Sequence, residues 1–309
     1  MKEKNNNLKT IILSLIVMAL WGSLFPFVKI GYNAFNINDK DIPSILMFAG
    51  TRFFVCGFII LIFCTLKRKT IKAPNKISFY MILLSSFFST ILHYAFTYIG
   101  LSSTDSSKTA LIKQLAPLLY VCFAFLFISS ETFSVYKIIG GIVGFMGIIA
   151  INFTSKSVSF SLGDILIMLA SICSVVATII SKKVVATNSP FWITGIGQTF
   201  GGTALILAAV IMGANVLNFS WSALGVFAYI CSASMAAYLL WNYIMKTSEI
   251  SNMFIIKFAE PLFACIFGAI LLNENIFKVQ YLIAFALISL GIILGNKQTK
   301  GKKNESKNI

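Results

Sequence analysis

The sequence is poor in charged residues: only 11% of its 309 residues are Asp, Glu, Lys or Arg, whereas 58% are hydrophobic. A soluble domain normally carries about 25% charged residues, so this composition argues against one. Long apolar runs separated by short polar segments leave no room for a sizeable soluble domain. We therefore expect a membrane protein.

Acidic residues are the scarcer charge, with 10 Asp and Glu against 25 Lys and Arg, and the formal net charge is +15. A basic excess can indicate nucleic-acid binding when it covers one folded face. Here the basic residues cluster in short segments between apolar runs, which is typical of membrane topology. We expect no nucleic-acid partner, and we expect membrane lipid and a small-molecule substrate instead.

Motifs for common chemistry are also missing. The six cysteines lie inside apolar runs without a Cys-x-x-Cys spacing, and His93 is the single histidine, so neither a disulfide framework nor a metal site is expected. No Gly-rich phosphate loop and no His-Glu-x-x-His motif occurs. The sequence predicts no enzyme, no direct use of ATP and no cofactor.

Ten apolar runs are long enough for membrane spans, each of which needs ~20 residues. Continuous runs of this kind predict an all-α membrane protein, because a helix satisfies its own backbone groups in lipid. We predict a cytoplasmic N-terminal tail at 1–9, a first five-helix repeat at 10–152, a second at 162–296 and a cytoplasmic tail at 297–309. The predicted spans lie near residues 10–31, 44–66, 77–99, 106–128, 134–152, 162–183, 190–213, 220–244, 250–272 and 278–296.

The distribution of basic residues predicts the orientation. Seventeen Lys and Arg fall in one set of alternate loops and in the termini, and four fall in the opposite loops. The positive-inside rule then puts both termini in the cytoplasm of a multi-pass protein in the cytoplasmic membrane. The first run has no small-residue cleavage site, so we interpret it as an uncleaved span.

The two halves of the sequence match at a fixed offset of 144 residues. SKTALIKQLAPLLYVCFA from Ser107 aligns without a gap on SNMFIIKFAEPLFACIFG from Ser251, and GIIAIN from Gly147 aligns on GIILGN from Gly291. Agreement of Lys, Pro, Gly and Asn indicates duplication. An odd number of spans per copy makes the halves inverted repeats, an architecture that favours transport by alternating exposure of a shared site.

Four segments resemble a known family. In the first half, WGSLFPFVKI from Trp21, TRFFVCGF from Thr51 and YIGLSSTDSSKTALIKQLAPLL from Tyr98 are similar to the EamA repeat of the drug/metabolite transporter superfamily. The matching segment in the second half is YIMKTSEISNMFIIKFAEPLF from Tyr243. The resemblance implies a basket of ten helices around a central cavity. It also implies a transported solute, since such proteins carry amino acids, drugs, nucleotide sugars, carboxylates or phosphorylated metabolites.

Lys113 and Lys257 occupy matching positions four residues before Pro117 and Pro261. Each proline lies ten residues after the start of its aligned segment, which corresponds to ~15 Å along a helix and therefore to a position near the middle of the membrane. A lysine there costs ~2.5 to 3.5 kcal/mol, which a hydrated cavity with an anionic solute would offset. Each proline can also kink its helix toward that cavity.

A structural pairing is the alternative explanation for the lysines. Glu260 is three residues after Lys257, but Ala116 stands at that position in the first copy. Lys113 and Lys257 also resemble lysines with which organophosphate antiporters of the superfamily hold phosphate. Phe258 replaces the arginine of that pattern, which leaves a carboxylate or an amino acid as the alternative cargo.

Further residues complete the candidate site. We predict that Gln114 and Glu260 make polar contacts to the substrate. Glu260 or His93 could also couple transport to protons; the alternatives are that Glu260 only pairs with Lys257 and that His93 only packs in the interior. Some aromatic residues are predicted to contact an apolar part of the substrate, with ordinary helix or lipid contacts as the alternative: Trp21, Tyr94, Tyr98, Tyr120 and Trp241. Arg52 and Lys29 are interpreted as structural, Arg52 binding backbone carbonyls or extending toward the outer surface.

Together these features predict a secondary transporter of a small anionic or zwitterionic metabolite that works by alternating access. An exporter of drugs or amphipathic metabolites with structural lysines is the alternative. A membrane enzyme or a channel is the alternative from a different class. The Gly-x-x-x-Gly motifs that begin at Gly140, Gly197 and Gly291 fit close helix packing. Such packing is compatible with a homodimer, which is left as an open alternative.

Overall fold

The computed structural model of the chain describes residues 2–67, 71–123, 126–127, 135–151, 153–154, 157–158, 160–247, 257 and 259–295. Within these ranges the first half is helical. Its elements are α1 (Lys2–Ala34), α2 (Ile42–Leu66), α3 (Lys76–Ser86), α4 (His93–Ser102), α5 (Ser106–Ile112), α6 (Leu115–Phe123) and α7 (Val135–Ile151). A π-helical segment, Phe87–Leu92, joins α3 to α4.

The second half repeats this helical pattern after a short hairpin. The hairpin pairs β1 (Phe153–Thr154) with β2 (Ser157–Val158) in antiparallel register. The helices that follow are α8 (Leu162–Val185), α9 (Pro190–Ile211), α10 (Trp221–Thr247), α11 (Ala259–Leu272) and α12 (Val279–Gly295).

Six helices in the described ranges are long and apolar enough to cross a membrane. They correspond to predicted spans one to three and six to eight, and shorter apolar helices lie in the fifth, ninth and tenth. The all-helical membrane class is confirmed, and the count of ten spans stays a prediction. Helix α1 begins at Lys2, so residues 2–9 of the predicted N-terminal tail are part of this helix. The predicted C-terminal tail at 297–309 lies outside the described residues.

The outer surface of the helices is strongly apolar. Large side chains such as Phe58, Ile142 and Ile270 are exposed, as expected for a surface in contact with lipid tails. The interior instead holds polar and charged side chains, among them Arg52 and Gln198. Polar groups inside a membrane protein face a cavity or one another, so this distribution directs attention to the centre of the molecule.

Glycines bring α7 and α12 into close contact in a reciprocal way. A Cβ atom on Gly147 would lie 2.7 Å from Ile288, and one on Gly291 would lie 2.6 Å from the backbone nitrogen of Gly144. Adding 144 to Gly147 gives Gly291, and subtracting 144 from Ile288 gives Gly144. Each contact is therefore the other with the halves exchanged, which is the pattern that a two-fold relation produces.

Helices α2 and α9 show the same reciprocity at another spacing. A Cβ on Gly50 would lie 2.7 Å from the Ile206 backbone, and one on Gly202 would overlap the backbone of Phe54. An offset of 152 exchanges the two contacts. These contacts support the predicted duplication, while the inverted orientation of the halves in the membrane stays a prediction.

A carboxylate from the second half caps the first turn of α5. Glu274 accepts hydrogen bonds from the backbone N–H groups of Ser106 at 2.9 Å and Ser107 at 3.0 Å, and from the Ser107 hydroxyl at 2.6 Å. Next to it, Lys108 forms an ion pair with Asp164 at 2.9 Å. These contacts hold the N-terminal end of α5, and through it the position of Lys113, against α8 and α11.

We predict that Glu274→Ala lowers the stability of the protein by about 1–3 kcal/mol, because charge-assisted hydrogen bonds to a helix N-terminus are lost and buried donors are left unpaired. Thermal unfolding of the purified protein in detergent measures the effect. Asn215→Ala, in an exposed loop, is the control and should change the unfolding temperature little. Equal stability of the two variants would contradict the capping role.

Candidate functional site: the central cavity

A cavity of about 170 Å³ lies between the two halves. Side chains from α1, α2, α3, α4, α8, α9 and α10 and from the π-helical segment line it, together with residues just before and at the start of α6 and α11. Of the ten residues that the sequence put forward for substrate or proton binding, Tyr120 does not line this cavity. The other nine do: Trp21, His93, Tyr94, Tyr98, Lys113, Gln114, Trp241, Lys257 and Glu260. Their roles in binding stay predictions.

Lys113 stands at a break between α5 and α6. Pro117 has no backbone N–H, so the Lys113 carbonyl cannot accept the usual helical bond from four residues ahead. It accepts instead from Ala116 N–H at 3.1 Å, and residues 113–114 form a turn. The break separates α5 from α6 at the predicted mid-membrane depth and leaves the lysine side chain beside the cavity.

Lys257 has the same local geometry in the second half. Pro261 leaves the Lys257 carbonyl without its helical donor, and the N–H of Glu260 bonds to it at 3.1 Å. Helix α11 begins two residues after Lys257. The same Lys-to-Pro spacing thus gives the same hydrogen bond, from the residue three positions later to the lysine carbonyl, at both repeat positions. Both lysines are half-buried at the wall of the same cavity.

The Lys113 ammonium group is held by a histidine and aromatic rings. Its Nζ lies 3.3 Å from His93 Nε2, 5.1 Å from the centre of the Phe25 ring and 5.8 Å from that of Tyr94. Aromatic faces attract a cation weakly compared with a carboxylate. In the described part of the chain no Asp or Glu comes within ion-pair distance of Lys113.

His93 is bound through both ring nitrogens. Its Nδ1 lies 2.7 Å from the Ala170 carbonyl oxygen, and because a carbonyl only accepts, Nδ1 carries a hydrogen and donates it. In a neutral ring Nε2 is then an acceptor for the Lys113 ammonium. His93 directly follows the π-helical segment, a local irregularity that often occurs at functional sites.

Lys257 lies against the second-half wall of the cavity. Its Nζ is 5.5 Å from the centre of the Trp241 ring, and Trp241 packs on Trp21 with 5.0 Å between ring centres. The predicted ion pair with Glu260 does not form within 4 Å among the described residues. Glu260 is 5% exposed and lines the same cavity as Lys113 and Lys257.

The structure corrects the interpretation of Arg52. Its side chain is only 1% exposed and lines the cavity, so the expected extension toward the outer surface is wrong. Backbone carbonyls do not hold it either: Nη1 donates to the Tyr98 hydroxyl, and Nε and Nη2 have no hydrogen-bond partner. The guanidinium lies over Phe53 with 4.5 Å from Cζ to the ring centre.

Two cavity residues missing from the sequence-based candidates are Tyr238 and Gln198. The hydroxyl of Tyr238 is hydrogen-bonded to that of Tyr94, and the two positions differ by the repeat offset of 144. Extending the alignment upstream could have identified this pair. Gln198 is 3% exposed, and its amide oxygen and nitrogen have no partner; no sequence pattern indicated it.

The cavity has unsatisfied hydrogen-bonding groups besides its charges. Trp21 Nε1 and Gln114 Oε1 are buried without a partner. Buried polar groups are almost always paired, so each exception calls for an explanation. A polar solute in the cavity would supply partners to a donor and an acceptor at once, which makes these groups candidates for substrate recognition.

The protein has an apolar exterior, helices long enough to span a bilayer, and a cavity between related halves that is lined by charged and polar groups as well as apolar ones. These features are typical of a polytopic membrane protein of the solute-transporter class. The model of the EamA-like transporter family matches residues 8–153 and 161–296. The chain therefore belongs to the EamA-like transporter family, within the drug/metabolite transporter superfamily.

Relatives extend over most of the chain. An uncharacterized transporter of Archaeoglobus fulgidus is 24% identical over 278 residues, covering 87% of this chain and 91% of its own length. The uncharacterized transporter YvbV of Bacillus subtilis is 24% identical over 302 residues, covering 96% and 94%. These relatives are named as transporters, not enzymes, in agreement with the sequence-based expectation.

A solved crystal structure shares the fold. It aligns with a TM-score of 0.64 at 16% identity and covers 93% of this chain and 96% of its own. At this identity the likeness concerns the fold alone. The sequence-based prediction of family and fold class is confirmed, and the substrate is a separate question.

The Tyr94–Tyr238 hydrogen bond joins repeat-related positions, and a double-mutant cycle with Tyr94→Phe and Tyr238→Phe tests it. We expect each single variant to lose about 0.5–1.5 kcal/mol and the double variant to lose less than the sum of the two, because either change alone removes the same bond. Chemical denaturation or thermal unfolding provides the energies. Strictly additive losses would show that the hydroxyl groups do not interact.

Proposed function

We propose that the protein is a secondary transporter that carries a small organic anion across the cytoplasmic membrane through the central cavity. The observation that supports it most directly is the charge around that cavity. Arg52, Lys113 and Lys257 line it together with a single carboxylate, Glu260. In the described residues, none of the three cations has an Asp or Glu within ion-pair distance.

The cost of such a charge distribution argues for an anionic ligand. Charges placed in a low-dielectric interior are paired or they strongly destabilise the fold. Hydroxyl groups and aromatic rings around the cavity offset part of this cost, and water in the cavity offsets more. A solute with a carboxylate group would bind to the lysines as the missing counter-ion and be selected over neutral solutes.

The relation between the halves supports alternating access as the mechanism. Reciprocal contacts in α7–α12 and in α2–α9 mean that one half can adopt the conformation of the other without new kinds of contact. Tyr94 and Tyr238 join the halves within the cavity wall. A solute held there would be exposed to one side of the membrane when the contacts on that side open.

Coupling to a proton stays a proposal for Glu260. His93 is the weaker candidate, because protonation of its Nε2 would place a second donor against the Lys113 ammonium. Glu260 lines the cavity with Lys113 and Lys257, so neutralising it or binding an anion to these lysines would change the charge balance of the same cavity. A substrate carboxylate would then compete with Glu260 for the lysines.

An amphipathic cargo is the second candidate function. Both lysines make cation–π contacts, Lys257 with Trp241 and Lys113 with Phe25. Such contacts can hold a lysine structurally without a ligand. The same rings would then form an apolar wall for a drug-like or amphipathic metabolite. This alternative predicts binding of cations or neutral aromatic compounds and indifference to added carboxylates.

Ligand-induced thermal stabilisation of the purified protein separates the two candidates. We expect a carboxylate, an amino acid or a phosphorylated metabolite from a panel to raise the unfolding temperature of the wild type. Lys113→Ala and Lys257→Ala should each weaken this binding at least about tenfold, since each removes a charge-assisted contact. Exchange of the same compound by proteoliposomes would show transport.

Lys183→Ala is the matched control, because Lys183 is exposed at the end of α8 and does not line the cavity. It should leave both stabilisation and exchange unchanged. Equal stabilisation of the wild type and both cavity variants by anions would refute the cationic site. Stabilisation of all proteins by amphipathic compounds alone would favour the second candidate.

A further inference from the structure

Within the described residues, Arg52 is a buried guanidinium that the proposed lysine site does not explain. It lies in α2, is 1% exposed, and directs one nitrogen to the Tyr98 hydroxyl. Its Nε and Nη2 groups have no hydrogen-bond partner. A buried arginine with two unused donors is energetically costly unless an acceptor binds to it during function.

The repeat architecture does not require a positive charge at this position. The offset of 152 that relates α2 to α9 places Ala204 at the position equivalent to Arg52. The second half therefore forms the corresponding contacts without any guanidinium. Because packing accounts for the helix pair without it, the charge of Arg52 calls for a separate reason.

Arg52 and Lys113 lie around the same aromatic ring. Arg52 Cζ is 5.6 Å and Lys113 Nζ is 5.8 Å from the centre of the Tyr94 ring. The two cationic centres are therefore no more than about 11 Å apart. Subtracting a hydrogen bond of ~3 Å at each end leaves at most ~5 Å between the two carboxylate groups of a bridging solute, which limits its chain to roughly four or five carbons.

The charge balance of the cavity also indicates two negative groups. Its charged residues are Arg52, Lys113, Lys257 and Glu260, which leaves two positive charges in excess when the neutral His93 is included. One carboxylate neutralises only one of them. A solute with two separated carboxylates would neutralise both, one at the lysines and one at Arg52.

We propose that Arg52, positioned by Tyr98, is a second anion-binding group and that the substrate class is a short organic dicarboxylate. This inference rests on the proposed function and specifies its cargo. The planar fork of a guanidinium matches a planar carboxylate, with two parallel N–H donors for two oxygens. A phosphate monoester fits less well, because both of its charges lie on one group and cannot reach the two subsites.

Succinate and butyrate are the test pair, since they share a four-carbon chain and differ by one carboxylate. Binding to the purified full-length protein is measured by thermal stabilisation at matched ionic strength. We expect the wild type to bind succinate about tenfold more tightly than butyrate. Arg52→Gln should remove that preference by weakening succinate, with butyrate changed less than about twofold.

Two further variants keep the test decisive if Arg52→Gln does not fold. Arg52→Lys retains the charge but loses the fork, so it should keep only part of the succinate preference. Tyr98→Phe retains the ring but removes the hydroxyl that orients Nη1, so it should reduce the preference by a few-fold. Lys183→Ala should behave as the wild type.

The outcomes distinguish this inference from the proposed function. Retention of the full succinate preference by folded Arg52 variants would overturn the dicarboxylate site and leave the anion carrier standing. If the wild type bound succinate and butyrate equally and Lys113→Ala lost the binding of both, the dicarboxylate site would also be overturned, and the anion carrier would also be left standing. Failure of the wild type to bind these acids or any other anion would overturn the proposed function and this inference with it.

Discussion

The structure depends on one constraint: charged side chains inside a membrane must find a counter-charge, water or a dense set of polar contacts. Three cations around one cavity meet this constraint only in part. A hydroxyl group holds Arg52, a histidine holds Lys113, and an indole ring lies beside Lys257. Each is a weaker partner than a carboxylate, and this incomplete pairing is the basis of the proposal that the cavity binds anions.

Backbone geometry and charge are linked at the two lysines. A proline four residues later interrupts the helical hydrogen bonds at each lysine, and the same interruption occurs in both halves. A continuous helix would cross the membrane with its carbonyls all satisfied, whereas these breaks leave polar backbone that is tolerated only beside a cavity. The residues that break the helix and the residues that carry the charge thus form one local motif, used twice.

Sequence reasoning identified the features that depend on local order along the chain. Apolar runs gave the helices, and the offset of 144 related Lys113 to Lys257. Sequence reasoning did not identify the guanidinium of Arg52 as a cavity group, because the direction of this side chain depends on how α2 packs against α4. Gln198 was missed for the same reason: a single amide in an apolar helix carries no periodic signal, and only tertiary contacts bring it to the cavity.

The relation between the halves is seen in the packing of two helix pairs, whereas the chemistry of the two halves differs. Gly147 and Gly291 make equivalent contacts, but Glu260 stands where the first half has Ala116, and Ala237 stands where it has His93. Under the proposed alternating access, equivalent packing would keep two conformations close in energy, because exchanging the halves would regenerate the same contacts. The unequal polar groups within one cavity would then give a bound solute a single preferred orientation. On this proposal the glycine interfaces would allow the movement, and the asymmetric charges would select the solute.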